Sequence, residues 1–88
     1  MSIIDSLRPP PGLRVLVSAG ASGLGAAVAL AFRETGARVH VCDIDRSALD
    51  RLAREAPEIT ASVADASVAG DVDRVFDDVQ GALGGLDV

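Results

Sequence analysis

Short runs of β-branched residues alternate with helical segments along most of the chain, and this alternation limits the fold more than any other sequence feature. The predicted strands are Leu13–Val17, Arg38–Cys42 and Ile59–Val63. Apolar residues recur at helical spacing after each strand: Leu24, Ala27, Val28, Ala31 and Phe32, then Leu49, Leu52, Ala53 and Ala56, then Val72, Val75, Phe76, Val79 and Leu83. Strands and helices that alternate with short connections predict an α/β fold with a parallel sheet and right-handed crossovers.

Helix-capping residues divide the chain at the expected places. Asp45 and Ser67 precede the second and third helices and are predicted N-caps. Gly36 lies just past the first helix, where a left-handed C-cap is expected, and Gly84 ends the third helix.

The chain of 88 residues is long enough for one small domain. Residues 1–12 end in three consecutive prolines and a glycine, so they are predicted to form a flexible leader, with the domain at residues 13–88. Leu86–Val88 resembles the opening of a fourth strand that is cut short. This truncation is expected to leave the outer edge of the first strand unpaired and the isolated chain loosely folded or self-associating.

Charge and composition exclude several classes of function. The net charge is −5, and all eight basic residues are scattered arginines, which argues against nucleic-acid binding. The single cysteine cannot form an internal disulfide, and one cysteine and one histidine form no metal-ligand set unless carboxylates dominate it. The N-terminal residues lack the apolar run of a signal peptide or membrane span, so a cytoplasmic protein is expected.

The glycine-rich segment Gly20–Gly25 is the strongest chemical signal, because it lies between the first strand and the first helix. Glycines let backbone N–H groups approach a phosphate, and a helix N-terminus adds a partial positive charge. The placement favours a Rossmann-type dinucleotide site over a tight turn that binds nothing. A Walker-type phosphate loop is excluded, since the chain has no lysine.

Asp43 follows the second strand, about 20 residues beyond the glycine segment. A carboxylate there accepts hydrogen bonds from an adenosine ribose and repels a 2′-phosphate. The sequence therefore favours NAD over NADP, although Arg46 is a nearby cation that would soften this preference. The alternative is that Asp43 only caps a turn or helix.

Taken together, these residues resemble the short-chain dehydrogenase/reductase family. Ser18–Gly25 is similar to that family's Thr-Gly-x-x-x-Gly-x-Gly pattern, except that Ala19 stands at the first glycine position. Alanine tolerates a positive φ poorly, so Gly20 is expected to adopt that conformation instead. Ala64–Ala66 matches the family's aspartate after strand 3, and Gly84–Val88 resembles the segment that leads into strand 4.

The resemblance implies the N-terminal half of a doubly wound Rossmann fold and a set of cofactor-binding residues. These are Gly20 and Gly25 of the glycine segment, Ser22, Gly23 and Leu24 near the pyrophosphate, Asp43 and Ile44 at the adenosine ribose and adjacent loop, and Asp65 and Ala66 at the adenine. Family members also carry a catalytic Ser and a Tyr-x-x-x-Lys motif, but this chain has no tyrosine and no lysine. His40 and Cys42 lie within a strand and are interpreted as structural, so no catalytic residue is predicted.

The resemblance thus predicts the NAD(H)-binding portion of an oxidoreductase that acts on a small alcohol/carbonyl pair and forms a homo-oligomer when complete. One alternative is a non-catalytic dinucleotide-binding or sensing module that keeps the same site. Another is a methyltransferase-like domain. That class usually carries an acidic residue at the start of the glycine motif, where this chain has Val17–Ala19.

Overall fold

The computed structural model describes residues 12–88, in which three strands alternate with three helices. In chain order they are β1 (Arg14–Ser18), α1 (Gly23–Glu34), β2 (Arg38–Asp43), α2 (Arg46–Glu55), β3 (Thr60–Val63) and α3 (Ala69–Leu83). This order confirms the predicted alternation. The predicted leader, residues 1–12, lies outside the described residues except for Gly12.

The three strands form a parallel sheet with β2 in the centre. In the register, Leu16 of β1 lies opposite His40 of β2, which in turn lies opposite Thr60 of β3. The predicted Rossmann-type α/β fold is confirmed, because two successive β-α-β units build the sheet outward from β1.

The chain returns to the free side of β1 after α3. The backbone N–H groups of Asp87 and Val88 donate to the Arg14 carbonyl at 2.9 and 3.1 Å, and the Leu16 N–H donates to the Val88 carbonyl at 2.9 Å. These residues therefore take the position of a fourth parallel strand. The expectation of an unpaired outer edge was wrong over this stretch of β1.

Alternation along the strands divides the core into one layer on each face of the sheet. Val15, Val39 and Val41 pack against α1 and α2. Leu16 and Cys42 point the other way and pack against α3. Because both faces of the sheet are covered by helices, the central strand β2 is buried along most of its length.

The glycines predicted to end the first and third helices, Gly36 and Gly84, are confirmed. Gly36 has a φ of 89° and Gly84 a φ of 77°, both in the left-handed region that favours glycine. The predicted N-cap of α2 is also confirmed, because the Asp45 carboxylate accepts a hydrogen bond from the Ala48 N–H at 3.1 Å.

Two details of α3 differ from expectation. Val68, not Ser67, occupies the N-cap position, because the Ser67 hydroxyl donates to the Asp65 carboxylate at 2.6 Å and is unavailable to the helix. Phe76 was predicted on the buried face but remains 50% exposed. Its ring borders an apolar cavity of about 180 Å³ between β1 and α3.

Candidate functional site

The loop between β1 and α1 passes so close to the sheet that its second residue must lack a side chain. A Cβ atom on Gly20 would lie 2.8 Å from Val41 Cγ1 and 2.9 Å from the Val17 carbonyl oxygen. The Gly20 N–H also donates to the Cys42 carbonyl at 3.3 Å, which ties the loop to β2. Gly20 is therefore required by close packing.

Ala19, rather than Gly20, adopts the left-handed conformation at the start of this loop. Its φ is 52°, and it is the one non-glycine residue with a positive φ among residues 12–88, whereas Gly20 does not have a positive φ. The expectation that Gly20 would adopt the special conformation was therefore wrong. Because Gly20 packs against β2, the left-handed turn of the chain falls on the residue before it, Ala19.

The second half of the loop opens α1 with a bare N-terminus. Gly23 is the first helical residue and has a φ of 56°, and Ser22 is an extended N-cap whose side chain makes no capping hydrogen bond. A Cβ atom on Gly25 would collide with the Ala19 carbonyl oxygen, so α1 and the loop are in direct backbone contact. The first turn contains no acidic side chain, and its N–H groups lack intrahelical acceptors. This end of α1 is consequently suited to an anion.

The Asp43 carboxylate connects the glycine loop to the segment that follows β2. Its Oδ2 accepts a hydrogen bond from the Ala21 N–H at 3.2 Å, and its Oδ1 accepts one from the Asp45 N–H at 3.0 Å. Each carboxylate oxygen has two lone pairs, so both can accept a further hydrogen bond from a ligand. The two backbone hydrogen bonds hold the carboxylate in place, and both of its oxygens can still accept a hydrogen bond from a ligand.

The side chain of Asp65, beyond β3, is held by its own loop. Its Oδ1 accepts from the Ser67 hydroxyl at 2.6 Å and from the Ser67 N–H at 2.9 Å. These two hydrogen bonds, led by the hydroxyl, lower the pKa of Asp65 below its ordinary value. The Asp65 N–H in turn donates to the Asp71 carboxylate at 2.9 Å, which attaches the loop to the first turn of α3.

The ends of β1, β2 and β3 surround one cavity of about 160 Å³ at the carboxyl edge of the sheet. Its lining consists of Ala19, Cys42, Asp43, Ile44, Ala64, Asp65 and Ala66. The structure thus brings together the residues predicted at the ribose and the adenine. The predicted pyrophosphate residues do not line this cavity and lie in the loop and first turn of α1, where Leu24 is 82% exposed.

Three residues of the lining were absent from the predicted site. Ala64 adjoins the predicted Asp65, so its position followed from the same motif. Cys42 reaches the cavity because it alternates with Val41 and points to the α3 side of β2. Ala19 was visible in the sequence as the departure from the family's glycine pattern.

Neither His40 nor Cys42 is arranged for acid–base chemistry in the cavity. His40 is 2% exposed and does not line the cavity, and burial lowers its pKa. Cys42 is also buried, and burial raises the pKa of its thiol. Within residues 12–88, no three His, Cys, Asp or Glu side chains converge as metal ligands would. The helices of this same range are all too short or too polar to cross a membrane.

The chain is similar to known proteins over most of its length. A family model described as enoyl-(acyl carrier protein) reductase matches residues 18–88. A short chain dehydrogenase/reductase of Colletotrichum higginsianum is 42% identical over 81 residues, which cover 88% of this chain and 30% of the relative. One of Gibberella zeae is 30% identical over 92 residues, covering 100% of this chain and 34% of the relative. The chain therefore spans about a third of the length of these relatives.

Solved structures share the fold. A short-chain dehydrogenase from Novosphingobium aromaticivorans matches with a TM-score of 0.81 at 21% identity, over 86% of this chain and 30% of that protein. A short chain dehydrogenase from Bacillus anthracis matches with a TM-score of 0.79 at 23% identity, over 85% of this chain and 33% of that protein. At these identities, the likeness establishes the fold of the described residues.

Proposed function

Because the chain belongs to the short-chain dehydrogenase/reductase family, whose members use nicotinamide cofactors, we propose that it forms the NAD(H)-binding portion of an oxidoreductase. The reaction proposed for the whole protein is hydride transfer between NAD(H) and a small alcohol/carbonyl pair. One observation carries the proposal: the Asp43 carboxylate lines the cavity at the sheet edge while it accepts a hydrogen bond from Ala21 of the glycine loop. The carboxylate proposed to bind the ribose is thereby hydrogen-bonded to the loop proposed to bind the phosphates.

The residues present fit a dinucleotide along this edge of the sheet. The first turn of α1, at Ser22–Gly25, offers backbone N–H groups and no acidic side chain to a pyrophosphate. Asp43 offers carboxylate oxygens to ribose hydroxyls, and Ile44 lies beside it with 68% of its surface exposed. Asp65 and Ala66 form the wall of the cavity where we place the adenine. When bound, the nicotinamide ring of the cofactor supplies the hydride acceptor or donor.

We favour NAD over NADP on electrostatic grounds. A 2′-phosphate on the ribose would place a second negative charge beside the Asp43 carboxylate, and two like charges close together repel each other. Arg46, at the start of α2, is exposed and is the nearest basic residue in sequence. It lies outside the cavity lining, so we expect it to reduce the preference and not to reverse it.

The catalytic groups of the proposed enzyme would lie outside these 88 residues, since the chain contains no tyrosine and no lysine. A second candidate is a dinucleotide-binding or sensing module without catalysis, which would use the same cavity and glycine loop. The two differ in one result: the second candidate binds NAD but does not turn over any alcohol or carbonyl compound in the complete protein.

The proposal is tested by measuring NAD and NADP affinity by calorimetry for the wild type, Asp43→Asn and Asp50→Asn. Asparagine retains an oxygen that can accept from the Ala21 N–H, but it removes the charge and the second oxygen, which accepts from the Asp45 N–H. Hydrogen bonds to charged groups contribute about 1.5–3 kcal/mol, so Asp43→Asn is expected to weaken NAD binding about 10- to 100-fold. It should also narrow the preference for NAD over NADP.

Asp50→Asn is the matched control, because Asp50 is an exposed residue of α2 outside the cavity lining. It removes the same charge and should leave both affinities unchanged. Wild-type protein that prefers NADP would refute the cofactor assignment. Well-folded protein that binds neither dinucleotide would show that the glycine loop is only a tight turn.

A further inference from the structure

A chain of polar side chains links β2, β3 and α3 on the face of the sheet opposite α1 and α2. His40 of β2 is its centre and is 2% exposed. Its Nδ1 lies 2.6 Å from the Thr60 hydroxyl, and its Nε2 lies 2.7 Å from the Ser62 hydroxyl. The Ser62 hydroxyl then donates to the Asp78 carboxylate of α3 at 2.6 Å. The four side chains therefore connect the middle of the sheet to the helix that covers it.

The hydrogen-bond partners of the imidazole fit its neutral form. The Ser62 hydroxyl donates its single hydrogen to Asp78, so the Ser62 oxygen accepts a hydrogen bond from the Nε2–H of His40. Nδ1 is then free to accept the hydroxyl proton of Thr60. This arrangement satisfies every group with a neutral His40. A protonated ring would require the Thr60 hydroxyl to turn to the Val39 carbonyl, which lies 3.5 Å away.

The surroundings provide one charge that would favour a protonated His40. Asp78 is that charge, because its coulombic attraction for an imidazolium raises the pKa of His40, and Ser62 is hydrogen-bonded to both side chains. The other titratable or charged groups of β1, β2, α3 and the segment after α3 on this side of the sheet are Arg14, Arg38, Cys42, Asp71, Asp73, Arg74, Asp77 and Asp87. Arg14 is paired with Asp87, and Arg38 donates to the carbonyls of Ala82 and Leu83.

Burial outweighs Asp78, so the pKa of His40 lies below its ordinary value of 6.5. The neutral ring is therefore the form that the folded protein prefers. A histidine whose pKa is lowered by folding contributes its full stability above pH 6.5, and that contribution is lost as the pH falls through the pKa of the folded state.

We propose that Thr60, His40, Ser62 and Asp78 form a pH-sensitive latch that holds α3 on the sheet at neutral pH and loosens it in acid. The other polar attachments of α3 are near its two ends: Arg38 donates to the carbonyls of Ala82 and Leu83, and Arg74, in the second turn, donates to the Val63 carbonyl at 2.8 Å. The latch lies one turn further along the helix, beside the buried Val75 and Val79. Protonation of His40 places an imidazolium in this layer and leaves the Thr60 hydroxyl only the longer hydrogen bond to the Val39 carbonyl, at 3.5 Å.

The latch is tested by nuclear magnetic resonance on the protein without cofactor, so its result does not depend on the proposed function. His40 is the only histidine in the 88 residues, so its imidazole signal in this chain needs no further assignment. The signal is followed as the pH is lowered, together with hydrogen exchange of α3 and α1 amides. We expect His40 to titrate below 6.5. The opening constant of α3, derived from protection factors, should rise up to about tenfold per pH unit across this interval, while that of α1 does not.

Asp78→Asn and Asp77→Asn form a matched pair. Both remove one negative charge from α3, but Asp77 is the exposed neighbour of Asp78, and Asp78 is the residue to which Ser62 donates. Asp78→Asn should give His40 a lower pKa than Asp77→Asn and should move the loosening of α3 to lower pH. Equal values in the two variants, a wild-type His40 that titrates as an exposed imidazole, or α3 protection that stays constant through the titration would each overturn the latch.

Discussion

Ala19→Gly is predicted to stabilise the protein, because Ala19 holds a φ of 52° that alanine adopts only at a cost. The left-handed conformation costs an L-residue about 1–2 kcal/mol. Glycine removes that cost, but it also raises the conformational entropy of the unfolded chain, which lowers the free energy of unfolding by about 0.4–1 kcal/mol. Ala19 is exposed, so little burial is lost with its methyl group. The net expectation is a gain of about 0.5–1 kcal/mol in the free energy of unfolding, which corresponds to a rise in Tm of about 2–8 °C for a domain of this size.

The measurement is urea and thermal unfolding of the wild type, Ala19→Gly and Ala27→Gly. Ala27 is an exposed alanine within α1, where the same substitution should cost about 1 kcal/mol. The two variants lose the same methyl group and should shift stability in opposite directions. If Ala19→Gly is as destabilising as Ala27→Gly, residue 19 is not strained in the folded protein and the argument fails.

Two further predictions concern backbone contact and ionisation. Gly25→Ala should lower the free energy of unfolding by about 1–3 kcal/mol or more, because the new Cβ atom would collide with the Ala19 carbonyl oxygen. Gly81 lies in open space on α3, so Gly81→Ala should raise the free energy of unfolding by about 0.5–1 kcal/mol. Both variants are measured in the same urea titration. A destabilising Gly81→Ala or a neutral Gly25→Ala would contradict these contacts. Hydrogen bonds from Arg14 lower the pKa of Asp87 from 3.8 to about 2, so the attachment of residues 86–88 to β1 should be complete above pH 3.8 and weaken as the pH falls toward 2. Carboxyl signals of Asp87 that titrate at the ordinary value would argue against the ion pair.

The sequence alone determined the order of the elements and the chemistry at the strand ends. Short runs of β-branched residues and apolar residues at helical spacing are local signals, and the runs predicted each strand to within one residue. Asp45 and Gly36 act through hydrogen bonds and backbone preferences within a few residues, so their roles were also predictable. The glycine segment before α1 and Asp43 after β2 followed from the same local pattern, since parallel strands place their carboxyl ends at one edge.

Contacts between residues distant in sequence were decided only by the tertiary structure. Ala19 takes the left-handed conformation because Gly20 must pack against Val41, which lies 21 positions away in the chain. The pairing of Val88 with Leu16 and the latch around His40 likewise depend on how α3 crosses back over the sheet. Spacing along the chain encodes which face of an element is buried. It does not encode which polar group from another element will meet it there, because that depends on the packed arrangement of the whole domain.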